Sequence, residues 1–170
     1  MPVFTPRLDI LPPPQRSLWP ELKSVPDGFV LYGGTAIALR LAHRVSVDFD
    51  FFSTETFGAG HLLDRMPFLA KGRSVQNQDN TLTCAFEREG GAVSVSFFGG
   101  LDFRRVRDPD RTDDNRIAVA SLLDVMATKL KVLWQRASLK DYLDIECAAV
   151  ERGGPGHRAG SGPRCLWPEV

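Results

Sequence analysis

The chain has 170 residues, of which 43% are hydrophobic and 25% charged, close to the averages of soluble globular proteins; a disordered or fibrous chain is excluded and one domain is expected. Lysine plus arginine equals aspartate plus glutamate at 21 each. This balance excludes a generic polyanion binder, which needs a basic excess, while leaving room for a local basic groove.

Cys84, Cys147 and Cys165 are odd in number, widely spaced and form no CxxC, so neither a disulfide scaffold nor a structural zinc site is expected. His43, His61 and His157 form no HxxxH pair, which argues against a zinc protease. No apolar run reaches the roughly 18 residues that span a bilayer. The opening MPVFTPRLDILPPP lacks the basic-then-apolar order of a signal peptide. A cytoplasmic protein with no membrane partner is expected.

Residues 1–27 form a Pro-rich segment (Pro2, Pro6, Pro12, Pro13, Pro14, Pro20, Pro26) that allows only a short helix around Gln15 to Lys23, kinked near Pro20. Phe29 to Tyr32 reads as a buried strand, ended by Gly33-Gly34, and Thr35 to His43 as a helix. Val45 to Phe52 alternates as a strand, with Val45, Val47, Phe49 and Phe51 toward the core and Ser46, Asp48, Asp50 and Phe52 on the other face. Residues 59–70 predict a helix interrupted at Pro67, and Thr81 to Glu87 with Ala92 to Phe98 a β-hairpin. Residues 104–116 read as a solvated loop, since Arg104, Arg105 and Arg107 are followed by Asp108, Asp110, Asp113 and Asp114. Leu122, Met126, Leu130 and Leu133 fall at helical spacing behind a Ser121 N-cap, with Trp134 assigned to the core, and Ser138 opens a second helix to about Val150. Cys84 is expected buried and inert. Residues 151–170 hold too many Gly and Pro to offset their ordering entropy and are expected to be poorly ordered.

The informative string is GGTAIALRLAHRVSVDFDFF, residues 33–52. A strand, a diglycine turn and a helix N-terminus let backbone amides approach a phosphate, although such a turn alone is more often a tight connection. Asp48 and Asp50, at i and i+2 on a strand, share one face roughly 7 Å apart along the chain. Like charges side by side cost stability unless something binds them, and hard oxygen donors on a rigid face suit Mg²⁺ beside a nucleotide's phosphates. A solvated strand face is the bland alternative.

These residues resemble the nucleotidyltransferase superfamily that includes DNA polymerase β. GGTA, HR, SVDFDFF, the Lys129 helix and Lys140-Asp141-x-x-Asp144-Ile145 are similar to the AbiEii/AbiGii toxin family, over about residues 28–148. The resemblance implies an α+β fold: a small mixed sheet of about four strands packed by helices, with a helical C-terminal part. It divides the chain into the 1–27 segment, a nucleotidyltransferase-like domain over 28–150 and the 151–170 tail. It implies a toxin paired with an antitoxin protein, transferring a nucleotide from NTP, with Mg²⁺, often onto RNA. Gly33, Gly34 and Thr35 would then hold the triphosphate, with Arg44 and Ser46 beside them. Asp48 and Asp50 would bind the metal as catalytic residues. Lys129 would neutralise phosphate charge in the transition state, and Asp141 would sit near the metal or orient Lys129. For Lys140 and Asp144 a plain i,i+4 pair is an equal reading, as is a surface ion pair for Arg44.

The sequence departs from the superfamily twice. Ser94 and Ser96 stand on the strand where a third carboxylate is expected, and a hydroxyl binds Mg²⁺ weakly. This favours a second function, a degenerate fold that binds nucleotide or a partner protein without turnover. Gly153-Gly154-Pro155-Gly156 interrupts the helices with which family members continue, so exposed helix surface, with oligomerisation or reduced stability, is expected.

Overall fold

The computed structural model describes residues 2–102, 104–135 and 138–153. Their strands join in one mixed eight-stranded sheet, twice the expected number, in the order β1-β7-β8-β2-β3-β6-β5-β4. The strands are β1 (Val3–Phe4), β2 (Val30–Tyr32), β3 (Asp48–Phe52), β4 (Arg73–Gln78), β5 (Thr81–Arg88), β6 (Gly91–Phe98), β7 (Asp110–Thr112) and β8 (Ala118–Val119). The helices are α1 (Pro13–Leu18), α2 (Gly33–Leu41), α3 (Ala59–Arg65), α4 (Leu122–Gln135) and α5 (Leu139–Gly153), with 3₁₀ turns at Trp19–Ser24 and Pro67–Lys71. The α+β class and the helical C-terminal part agree with the sequence. Of residues 151–170, expected to be poorly ordered, 151–153 close α5 and the rest lie outside the described residues.

β2 is fully buried and runs without a loop into α2, because Gly33 turns the chain at φ 75°, a left-handed conformation that glycine adopts without strain. β3 pairs antiparallel with β2 and parallel with β6, aligning Tyr32 with Asp50, Asp48 with Ser94 and Asp50 with Ser96. On the reverse face Phe49, Phe51, Val93, Val95, Phe97, Leu82, Cys84 and Phe86 build the core. Phe51 stacks on Phe97 at 5.3 Å and Trp19 tilts over Phe49 at 6.0 Å. Residues of the Pro-rich segment (Leu11, Leu18, Trp19, Leu22) belong to this same cluster. Cys84 is buried, which pushes its thiol pKa up.

Three expectations of detail change. The strand expected from Val45 begins only at Asp48, and Val45 and Val47 are 52% and 48% exposed. A side chain takes the place of a ladder partner there: Gln15 Nε2 donates to the Val47 carbonyl at 2.5 Å. The loop 104–116 contains β7, a strand made by its neighbours β1 and β8 rather than by its own composition. The same loop is tied to α4, since buried Asp124 accepts hydrogen bonds from the Val106 and Arg107 amides and from Ser121 Oγ. Ser121 Oγ in turn accepts from the Asp124 amide at 3.2 Å, confirming the N-cap. Finally, Trp134 is 93% exposed, not core. α4 buries Val125 near its start, while Leu130 and Trp134 further along stand in solvent.

Candidate nucleotidyl-transfer site

The site is assembled where β2, α2 and β3 meet. Asp50, half-buried on β3, lies against the diglycine turn: a Cβ on Gly33 would stand 2.9 Å from Asp50 Oδ2. The missing side chain is what lets the carboxylate reach the turn. Asp48, exposed, flanks Asp50 on the same face of β3. Burial and the neighbouring Asp48 charge push the Asp50 carboxyl up to about 6, against the opposing charge of Lys129. The acids, the turn and the lysine therefore share one electrostatic neighbourhood.

Gly34 is the second close approach. A Cβ there would stand 2.5 Å from Arg44 Nη2 and 2.9 Å from Ser46 Oγ, so both side chains lie on the turn. Arg44 does not pair with Asp48. Its Nε and Nη2 reach Asp144 Oδ1 and Oδ2, both at 2.7 Å. Thr35 is fully buried and its hydroxyl donates to the Asp48 carbonyl, locking α2 to β3. Only its backbone amide is left for a phosphate.

Lys129 on α4 donates to Asp141 Oδ1 at 2.6 Å and approaches Asp144 Oδ2 at 2.8 Å. Asp141 is buried and accepts this bond from Lys129. Asp144 is where sequence reasoning fell short. It pairs with Arg44, Lys129 and His43 rather than with Lys140, and His43 Nε2 lies 2.7 Å from Asp144 Oδ1. Burial alone would raise the Asp144 carboxyl; hydrogen bonds from His43, Arg44 and Lys129 outweigh it and hold the group well below the usual carboxylate range. The available signal was the pairing of Asp141 and Asp144 at i and i+3, which places both on one side of a helix.

Two carboxylates on one strand face, one of them raised by burial and by its neighbour's charge, are a hard-oxygen donor set. Mg²⁺ fits it. Among the described residues no group of three or more His, Cys, Asp or Glu is placed to hold a metal ion. The register explains why: Ser94 and Ser96 lie beside Asp48 and Asp50, and Ser96 Oγ accepts from Thr83 Oγ1 at 3.2 Å.

The family described as nucleotidyl transferase AbiEii toxin, type IV TA system, matches residues 21–159. This chain belongs to the AbiEii family. It is also 30% identical over 124 residues to an uncharacterized protein of Aquifex aeolicus (strain VF5), a match that covers 70% of this chain and 56% of that protein. The chain thus spans little more than half the length of this curated relative. The AbiEii match contains the turn, both β3 aspartates, Lys129, Asp141 and Asp144. No described helix is long and apolar enough to cross a membrane.

Proposed function

We propose that this protein transfers a nucleotidyl group from a nucleoside triphosphate to an acceptor hydroxyl, with RNA as the acceptor class and Mg²⁺ as the resident ion, and that it acts in the cytoplasm as a toxin held by a cognate antitoxin. The observation that carries this is the contact of Asp50 with Gly33, which joins the acidic pair to the diglycine turn.

The roles follow from the geometry. The amides at the start of α2 and the helix dipole would bind phosphate oxygens. Asp48 and Asp50 would hold Mg²⁺, which when bound supplies positive charge at the reacting phosphate. Lys129 and Arg44, each only partly engaged by carboxylates, would offset the charge of the remaining phosphates. The acceptor hydroxyl gives up its proton to solvent and its oxygen would form the bond to the α-phosphorus as the bond to the bridging oxygen breaks, with pyrophosphate leaving with that electron pair. Ser96 and Ser94, neutral beside the aspartates, support the second reading, in which the fold binds nucleotide without transferring it.

The two readings separate in one experiment. The protein is incubated with each labelled NTP, Mg²⁺ and total bacterial RNA. Label in RNA that Asp48→Ala reduces by about a hundredfold or more is expected for the enzyme, in line with loss of a metal-binding group. Nucleotide binding without label in RNA would establish the binding module instead.

A further inference from the structure

The least explained group near the site is buried Asp144 on α5. Each of its oxygens has two nitrogen partners. Oδ1 receives His43 Nε2 and Arg44 Nε, both at 2.7 Å, and Oδ2 receives Arg44 Nη2 at 2.7 Å and Lys129 Nζ at 2.8 Å. Two per oxygen is the full capacity of a carboxylate. Its rotation about the Cβ–Cγ bond is therefore set by partners on two segments, the α2–β3 connection and α4. Because a carboxylate only accepts, His43 carries its proton on Nε2; its buried Nδ1 has no partner among the described residues.

The two strong cations keep donors after this pairing. An ammonium has three N–H groups, and Lys129 spends one on Asp141 and one on Asp144. A guanidinium has five, and Arg44 spends two on Asp144 and one on the Val45 carbonyl. Both side chains retain some exposure, 14% for Lys129 and 19% for Arg44.

We propose that His43 and Asp144 are positioning residues for the triphosphate: together they hold the Arg44 guanidinium over Gly34 and the Lys129 ammonium toward the β3 aspartates, so that the unused N–H groups of both face an anion at the start of α2. This rests on the nucleotide reading of the site and adds the device that aims its cations. Neither residue touches the ligand. Without the His43 donor, Oδ1 keeps a single partner and the carboxylate is held only by the two cations it spaces, so the placement of Arg44 and Lys129 loosens.

The test uses sodium tripolyphosphate with magnesium chloride as a base-independent probe, titrated calorimetrically into the full chain. His43→Phe keeps a ring but no donor. His43→Gln carries a terminal amide N–H in place of Nε2–H. The expected result is roughly tenfold weaker binding for His43→Phe, as for loss of a supporting hydrogen bond behind a binding group, and binding within about threefold of wild type for His43→Gln. Circular dichroism melts establish that both variants fold. If His43→Phe does not fold, Asp144→Asn, equal in size but uncharged, carries the same expected weakening. Positioning is overturned if wild type binds and folded His43→Phe binds as well, or if folded His43→Gln is as weak as His43→Phe. Failure of wild type itself to bind the probe overturns the nucleotide reading along with it.

Discussion

Asp50 and Asp144 show how identical side chains acquire opposite character from their surroundings. Asp144 is surrounded by donors and stays ionised far into acid; Asp50 is desolvated by burial, has a like charge beside it and is raised to about 6. For Asp50 the sign is unfavourable to folding at neutral pH. Its folded pKa lies above the ordinary value of about 4, so the ionised form is the costly one, and stability is lost as pH rises from about 4 through 6. Asp50→Asn removes that cost. In EDTA at pH 8 the variant is expected to be more stable than wild type by about 1–3 kcal/mol, with the gain vanishing near pH 4, as read by thermal melts. Mg²⁺ should stabilise wild type and leave the variant unmoved. The Asp-x-Asp face was legible at this scale because alternation along a strand places both acids on one side without help from the rest of the chain. The partners of Asp144 were not: His43 and Arg44 lie about a hundred residues earlier in sequence, and nothing local distinguishes that arrangement from an i,i+4 pair with Lys140.

Among the elements, the β2–α2–β3 unit carries the site, and its geometry turns on Gly33. The positive φ there and the 2.9 Å approach of Asp50 Oδ2 to a would-be Cβ act in the same direction. Gly33→Ala is expected to cost about 1–2 kcal/mol in backbone strain and to push the Asp50 carboxylate off the turn. Urea melts measure the first effect. The second would appear as weakened Mg²⁺ stabilisation beyond what the strain explains. The diglycine turn and the helix after it were readable because a glycine bend and helix propensity act over a few residues. Strands whose existence depends on partners were not. β7 is three residues of mixed polarity that become a strand between β1 and β8, whereas Val45 and Val47, which alternate perfectly well, remain outside the sheet because Gln15 takes up the Val47 carbonyl.

On the scale of the whole molecule, the N-terminal residues and the C-terminal helices contribute in contrasting ways. Leu18 is completely buried in the same cluster as Phe49 and Phe97, while Trp134 stands almost entirely in solvent. Leu18→Ala is expected to cost about 2–5 kcal/mol, and Trp134→Ser less than about 0.5 kcal/mol, both measured by chemical denaturation. A large cost at Trp134 would mean that another surface covers it in solution. By itself the sequence determined the α+β class, the β5–β6 hairpin, the turn-helix-strand unit and the AbiEii resemblance, since these rest on periodicity and spacing within short stretches. Only the tertiary structure decided which acid Arg44 and Lys129 would meet, which apolar side chains would be buried and how far the sheet would extend. Those outcomes depend on which distant segments compete for the same backbone groups, charges and apolar surface.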